Sequence, residues 1–363
     1  MSTLLIATAD ALAEAVERWR PAPWLTVDTE FVRVDTYHAR LCLVQIGDGS
    51  SAACIDVLAL PDLTPLLDLL YGPQSVAVFH AAGQDLEILV RLRGRCPQPL
   101  FDTQVAATLL GIGDQIGYAG LIEKRLGIPV DKSLSRTDWA RRPLREAELA
   151  YAAADVSHLA TIYPTLQDEL ARAGRLGWLA EDCARMCDPA QYVTAPEAAW
   201  QRLKGLARMS PREQTVAAAL CAWREREAQD RDRPRKWIVE DDAIYRLAER
   251  RPQTSAELAT LGALPPKTLE RHGERLLAVI AEAAAAPEQR LAQEEELDAA
   301  QKGLLKKLQT LVQARGTQLN VPASFLAPRA DLMSLVRHGP EARAQVLRGW
   351  RREVCGGDLL AAL

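Results

Sequence analysis

The chain has 363 residues, of which 48% are hydrophobic and 25% are charged, and its net charge is −4. This composition excludes a disordered chain, and the length predicts more than one domain at about 150 residues each. The slightly negative charge argues against a protein whose whole surface is basic and coats nucleic acid.

The charge is divided unevenly along the chain. Residues 1–190 contain 25 acidic and 17 basic residues, whereas residues 191–363 contain 23 and 27. An acidic first half suits a metal-binding site, and a mildly basic second half suits contact with phosphate groups.

Strand and helix patterns alternate through the first 170 residues. Asp10 is predicted to cap a helix that ends near Trp19. The predicted strands are 24–31, 41–47, 52–58 and 75–81, and the first three form an antiparallel meander. The next predicted helices are 61–71, 83–93, 102–110, 118–126 and a long one from Pro143 to residue 170. These elements predict an α/β domain with a mixed sheet flanked by helices.

The remaining sequence is predicted to be entirely helical. We find no strand pattern after Trp200, and prolines punctuate the helical stretches. Pro287 ends one helical unit, and the acidic run 294–298 opens another, because acids favour a helix N-terminus. The predicted division is a first domain of residues 1–170, a helical linker 171–204, and two all-α units, 205–287 and 293–363.

The cysteines and apolar runs indicate the cellular compartment. Seven cysteines form no Cys-x-x-Cys pair, which is typical of reduced, structural thiols. The N-terminus resembles no signal peptide, and no apolar run approaches the ~18 residues of a membrane span. We therefore expect a cytoplasmic protein without a membrane partner. The protein is also expected to be monomeric.

Five residues in three short segments are the candidate catalytic residues. Asp28 and Glu30 are two apart in a predicted strand, so both side chains face the same side. Tyr151 and Asp155 are four apart in a predicted helix and lie one turn apart on one side. Asp85 follows a strand and opens a helix, where ligand sites often form in α/β folds.

The four carboxylates predict a metal centre. Oxygen ligands without thiolate or imidazole partners favour Mg²⁺ or Mn²⁺ over Zn²⁺. Without metal, four gathered acids would repel one another and raise one another's pKa. A pair of divalent ions is the usual apparatus for cutting phosphodiesters, so the pattern predicts a nuclease.

The motifs around these residues resemble the ribonuclease D family, an exonuclease branch characterised by four acids and a tyrosine. The matching segments are Asp28-Thr-Glu-Phe-Val-Arg33, Leu41-Cys-Leu-Val-Gln-Ile46, His80-Ala-Ala-Gly-Gln-Asp-Leu86, Thr137-Asp-Trp139, Arg142-Pro-Leu144 and Tyr151-Ala-Ala-Ala-Asp-Val156. Ala39 departs from the family, whose members often have proline there. Residues 205–287 resemble the helical HRDC domain shared with RecQ-type helicases, and residues 293–363 resemble a divergent second copy.

The resemblance implies a fold, an activity and roles for the five residues. The first domain is expected to be ribonuclease-H-like, and the activity is expected to be 3′–5′ exoribonucleolytic, with release of nucleoside 5′-monophosphates. Asp28, Glu30, Asp85 and Asp155 are expected to bind two divalent metal ions, Mg²⁺ or Mn²⁺, with Asp28 bridging both. Tyr151 is expected to orient the attacking water. The implied partner is RNA with a free 3′ end, such as a tRNA precursor.

Five further residues are candidates for substrate binding. Phe31 is expected either to stack on a terminal base or to be buried, and Gln84 is a candidate for bonding the substrate backbone. Arg233, Arg235 and Lys236 belong to the densest basic cluster and are candidates for contact with RNA phosphates.

Two neighbours of these motifs, His80 and Asp102, have simpler explanations. Packing is favoured for His80 over a substrate contact. For Asp102, capping of a helix is favoured over a metal role.

Two other functions remain open at this point. The same metal chemistry would serve a DNA exonuclease in proofreading or repair, because RNA and DNA share the phosphodiester. A catalytically silent nucleic-acid-binding module is the second alternative, against which the complete set of acids and tyrosine argues. The sequence contains no G-x-x-x-x-G-K-[ST] pattern, which argues against helicase activity.

Overall fold

The computed structural model describes residues 4–131, 133–291 and 297–363. Contacts divide the chain into two compact units. The first unit comprises Met1–Val32, Leu41–Tyr192 and Leu297–Leu363, and the second comprises Arg33–Arg40 and Val193–Glu296. Among the described residues, every helix is too short or too polar to traverse a lipid bilayer.

A six-stranded mixed sheet forms the centre of the first unit. Its strands are β1 (Leu4–Ile6), β2 (Trp24–Val32), β3 (Arg40–Gly47), β4 (Ala52–Ile55), β5 (Val76–Phe79) and β6 (Leu100–Asp102). The order across the sheet is β1-β4-β3-β2-β5-β6. β3 and β4 are antiparallel, whereas β1 with β4, β2 with β5, and β5 with β6 are parallel. The prediction of a mixed sheet is confirmed.

Seven helices of the first unit precede residue 187. They are α1 (Ala9–Trp19), α2 (Thr64–Leu70), α3 (Gly83–Arg93), α4 (Thr103–Leu109), α5 (Tyr118–Leu126), α6 (Glu146–Arg172) and α7 (Leu176–Met186). The core between helices and sheet is apolar, and its largest buried side chains include Trp19, Tyr163 and Phe79. All seven cysteines of the chain are buried, and none forms a disulfide bond.

Three predicted helix starts are wrong. The helix predicted from residue 61 is α2, which begins at Thr64. The N-cap of α1 is Thr8, whose hydroxyl oxygen accepts from the backbone N–H of Ala11 at 3.3 Å, and Asp10 lies in the first turn. The long helix α6 begins at Glu146 rather than at Pro143. The carboxylate of Glu148 accepts from the backbone N–H of Arg145 at 2.8 Å, which fixes the first turn three residues later than predicted.

Residues 193–291 of the second unit contain helices and no strand, as predicted after residue 200. Its helices are α8 (Pro211–Asp230), α9 (Arg235–Ile238), α10 (Asp241–Arg250), α11 (Ser255–Leu261) and α12 (Pro266–Ala285). The helices enclose a separate apolar core that includes Leu220, Trp223, Leu247 and Leu276.

The segment Arg33–Arg40, which links β2 to β3 along the chain, packs within the second unit. The hydroxyl of Tyr37 donates to the buried carboxylate of Glu225. Arg235 also binds this carboxylate, at 2.7 Å from Oε1, and its guanidinium lies 4.6 Å from the Tyr37 ring centroid. The backbone N–H of His38 donates to Asp232 at 2.9 Å. These contacts anchor the segment to α8, to α9 and to the turn between them.

The C-terminal residues add five helices to the first unit. They are α13 (Ala299–Leu319), α14 (Ala323–Leu326), α15 (Arg329–His338), α16 (Gly349–Arg351) and α17 (Gly357–Ala361). Buried Arg351 pairs with buried Asp182 of α7 at 2.5 Å, and Trp350 stacks on Trp178 with ring centroids 4.4 Å apart.

The helix lengths support the predicted repeat of the helical domain. α13, α14 and α15 have 21, 4 and 10 residues, whereas α8, α9 and α10 have 20, 4 and 10. Both four-residue helices follow a proline, Pro234 in one case and Pro322 in the other. The repeat and the predicted domain limits stay predictions.

Candidate metal centre

The strand β2 presents two acids on one side, as its sequence alternation predicts. Leu25, Val27 and Thr29 are buried, whereas Asp28 and Glu30 are partly exposed. The apolar positions hold the strand in the sheet. The two acids are therefore placed on a stable backbone and on the same side of the strand.

A buried threonine sets α6 against this strand. The hydroxyl of Thr26 donates to the carbonyl oxygens of Val156 at 2.9 Å and of Gly47 at 3.1 Å. Gly47 is required here, because a Cβ at this position would lie 2.5 Å from the Thr26 hydroxyl oxygen. Since Val156 follows Asp155 in α6, this contact brings Asp155 to the acidic side of β2.

Three of the four predicted carboxylates converge. Asp28, Glu30 and Asp155 each offer one oxygen, and these oxygens all lie within 4.8 Å of one another. Mg²⁺ binds oxygen at about 2.0–2.1 Å, so ligands on opposite sides of one ion lie about 4 Å apart. The three oxygens therefore fit the coordination of a small hard cation.

Asp85 is the fourth acid and lies in the first turn of α3. It is 8% exposed, and its Oδ1 accepts a hydrogen bond of 2.5 Å from the hydroxyl of Thr29. Its negative charge contributes to the raised pKa of Glu30, so it lies within electrostatic reach of the other acids. Thr29 thus couples the fourth acid to the strand that carries the first two.

The electrostatics of the four acids match an ion-binding site. Burial and then the charge of Asp155 raise the pKa of Asp28 to about 7, and burial and then the charge of Asp28 raise the pKa of Asp85 to about 8. Burial and the charges of the other three raise the pKa of Glu30 to about 9. Burial raises the pKa of Asp155 to about 7. A divalent cation would compensate this repulsion.

Tyr151 lies one turn before Asp155 on α6. Burial and the charges of Asp155, Glu30 and Asp28 raise the pKa of its phenol to about 12, so the hydroxyl stays protonated at neutral pH. The ring stacks on Trp139 with centroids 6.4 Å apart and an interplanar angle of 27°. The phenol is thereby held beside the carboxylates.

Sequence reasoning missed a second group of residues behind Asp155. The hydroxyl of Tyr118 lies 2.9 Å from Nδ1 of His158 and donates to the backbone carbonyls of Ala154 and Asp155 at 3.1 and 3.2 Å. The spacing of His158, three residues after Asp155, signals a shared helix face. Nothing in the sequence indicates the approach of Tyr118 from α5.

The structure confirms the helix-capping role predicted for Asp102 and the packing predicted for His80. Asp102 is fully buried, and its carboxylate caps α4 by accepting from the backbone N–H groups of Gln104 and Val105. His80 packs against the Tyr118 ring, and its Nδ1 lies 2.9 Å from the hydroxyl of Thr103.

The five predicted substrate-binding residues have different surroundings. Phe31 is partly exposed and lies outside the hydrophobic clusters formed by the described residues, and Gln84 is exposed beside Asp85. Arg233 forms an ion pair of 3.3 Å with Asp35, and Arg235 is bound to buried Glu225.

Lys236, the last of the basic cluster, is exposed on α9. Contact of these five residues with substrate stays a prediction.

Two family models match the chain. The model of a 3′–5′ exonuclease matches residues 4–171, and the model of the HRDC domain matches residues 213–280.

Similar proteins are found over nearly the whole length. The ribonuclease D of Sphingobium indicum is 42% identical over 98% of this chain and 92% of its own length. The ribonuclease D of Granulibacter bethesdensis is 40% identical over 99% of this chain and 92% of its own. The crystal structure of Escherichia coli RNase D, described as an exoribonuclease involved in structured RNA processing, matches with a TM-score of 0.90 at 33% identity. It covers 100% of this chain and 99% of that one.

Proposed function

Because the chain belongs to the ribonuclease D family of 3′–5′ exoribonucleases, we propose that it trims the 3′ ends of structured RNAs, with tRNA precursors as the leading class. The description of the E. coli relative as an enzyme of structured RNA processing supports this substrate class. The observation that carries the proposal is the convergence of three carboxylate oxygens within 4.8 Å, with Asp85 alongside.

Asp28, Glu30, Asp85 and Asp155 are proposed to hold two divalent metal ions, Mg²⁺ or Mn²⁺. Asp28 is proposed as the ligand shared by both ions, because the resemblance to the family implies this role and its carboxylate lies in the cluster with Glu30 and Asp155. The all-oxygen donor set fits hard cations. When bound, such ions supply a more acidic water and stabilise the charge on the departing oxygen.

Tyr151 is proposed to orient the attacking water. Its protonated hydroxyl has one hydrogen to donate and lone pairs to accept with, and a pKa of about 12 makes it unsuitable as a base at neutral pH. Water attacks phosphorus in line with the departing 3′-oxygen, and the P–O3′ bond breaks. The released nucleotide therefore keeps its 5′-phosphate.

The helical second unit is proposed to contact the RNA backbone. Lys236 carries an exposed positive charge on α9, whereas Arg235 is tied to Glu225 and Arg233 to Asp35. Among the three candidates, Lys236 is therefore the most suitable contact for a phosphate.

Digestion of end-labelled oligomers tests the proposal. A 5′-labelled, 3′-extended tRNA in Mg²⁺ should shorten one nucleotide at a time from its 3′ end, with release of 5′-monophosphates and arrest in EDTA. A DNA oligomer of the same sequence as the RNA extension is the matched control. Preferential digestion of the DNA, or internal cleavage of the RNA, would contradict the proposed function.

A further inference from the structure

An arginine-lined pocket lies in the first unit on the segment that leads into α6. Its volume is about 470 Å³, within the range of roughly 300–1,000 Å³ that is typical of ligand sites. The charged residues that line it are Arg136, Arg141, Arg145, Asp138 and Glu148. Three arginines against two acids make the lining positive, in a half of the chain where acids outnumber bases.

This pocket adjoins the catalytic side of α6. Glu148, which lines the pocket, precedes Tyr151 by three residues, so the two project from neighbouring positions on one helix face. Trp139 lies in sequence between the lining residues Asp138 and Arg141, and its ring stacks on Tyr151. A polymer bound with its end at Tyr151 would therefore have the pocket close by.

Glu148 holds two of the arginines in place. Its carboxylate is 1% exposed and lies 2.7 Å from Arg141 and 2.8 Å from Arg145. The side chains of these arginines are 42% and 64% exposed. Each guanidinium has five N–H donors, so both retain donors that face solvent.

Arg136 is the third arginine and is exposed. Within the described part of the chain, it has no ion-pair partner. Its charge is therefore not neutralised by a neighbouring acid. A guanidinium fork of this kind matches the geometry of a phosphate.

Arg142, by contrast, is an arginine with a structural role. It binds both carboxylate oxygens of Asp56 at 2.7 Å and the backbone carbonyl of Cys42 at 2.9 Å. Of the four arginines between residues 136 and 145, one is thus bound to neighbouring groups of the fold, and the other three line the pocket.

We propose that this pocket binds a backbone phosphate of the RNA strand on the 5′ side of the scissile bond. The inference rests on the proposed function, because it needs an RNA strand whose 3′ end lies at Tyr151. Phosphate contacts position a strand without reading its sequence. Such a contact suits an exonuclease, which must accept a new nucleotide at each step as the strand shortens.

Substitution of Arg136 tests the inference. Arg136→Gln should raise KM for a ten-nucleotide RNA about tenfold with kcat unchanged, by loss of one hydrogen bond to a charged group. The increase in KM should occur only with the longer RNA, because a dinucleotide has no phosphodiester beyond the scissile one. Arg145→Gln is a second variant that keeps the Arg141–Glu148 pair, and Arg91→Gln removes an exposed charge from α3 as the matched control.

RNA with one neutral methylphosphonate linkage identifies the phosphate. At one position upstream of the scissile bond, the neutral linkage should raise KM for the unsubstituted protein about tenfold, and the same linkage should add nothing to the KM of Arg136→Gln.

An unchanged KM in both Arg136→Gln and Arg145→Gln, or an equal increase in KM for the dinucleotide, would overturn the inference while the proposed function stands. Failure of the unsubstituted protein to shorten RNA from its 3′ end would overturn both.

Discussion

Replacement of Asp28 by asparagine is expected to stabilise the metal-free protein while it abolishes hydrolysis. Burial and the charge of Asp155 raise the pKa of Asp28 from 3.8 to about 7. Each pKa unit corresponds to about 1.4 kcal/mol, so the ionised carboxylate opposes folding by at most about 4 kcal/mol. Relaxation of the neighbouring acids and entry of water reduce this figure, and we expect a gain of about 1–3 kcal/mol in the free energy of unfolding.

The pH dependence of this gain in stability follows from the direction in which folding shifts the pKa of Asp28. Because the pKa is higher in the folded state, the native protein binds more protons than the unfolded chain between about pH 4 and pH 7. The stability of the metal-free protein therefore falls as the pH rises through that interval. The advantage of Asp28→Asn should be present at pH 8 and absent near pH 4.

Urea unfolding in EDTA at pH 4 and pH 8 measures the effect, and RNA digestion in Mg²⁺ measures the lost activity. Asp48→Asn is the matched control. Partial burial raises the pKa of Asp48, but hydrogen bonds from Ser51 and Ser50 outweigh this effect and lower the pKa below its ordinary value. Asp48→Asn should therefore bring no gain in the free energy of unfolding at pH 8. Equal or lower stability of Asp28→Asn at pH 8, or near-normal turnover in Mg²⁺, would refute the reasoning.

Three other substitutions separate catalysis, metal binding and folding. Tyr151→Phe should lower kcat about a hundredfold or more with metal affinity unchanged in calorimetry, because only the orienting hydroxyl is lost; unchanged turnover would remove its role. Thr29→Val removes the 2.5 Å hydrogen bond to Asp85 and should weaken Mn²⁺ binding about tenfold or more, whereas wild-type affinity would show that this bond does not position the ligand. Glu225→Gln leaves Arg235 without its buried partner and should lower the free energy of unfolding by about 2 kcal/mol in urea titrations, and an unchanged midpoint would contradict this.

The acids nearest in sequence were placed correctly because their geometry is local. Strand alternation alone puts Asp28 and Glu30 on one side, and helix spacing alone puts Tyr151 beside Asp155. The structure shows both arrangements and brings Asp155 to the strand acids. The joining of the two segments came from the resemblance to the family and not from periodicity.

The contacts that were missed join distant parts of the chain. Alternation places Thr29 opposite the acids, yet its hydroxyl reaches Asp85, 56 residues away. Similarly, the contact of Tyr37 with Glu225 joins residues 188 apart. No local sequence pattern predicts contacts between residues so far apart in the chain.

Short elements were missed for a different reason. β1 and β6 have three residues each, too few to display an alternation, and they form only because neighbouring strands pair with them. The start of α6 was misplaced because proline tolerates a first turn, whereas the capping carboxylate of Glu148 decides where the turn begins.

The most direct test of the metal centre is anomalous scattering from crystals grown with Mn²⁺ and a nucleoside 5′-monophosphate. We predict two peaks about 3.5–4 Å apart, both within bonding distance of Asp28, with Glu30 and Asp155 on one ion and Asp85 near the other. Manganese at other positions, with these four carboxylates left without an ion, would contradict the account.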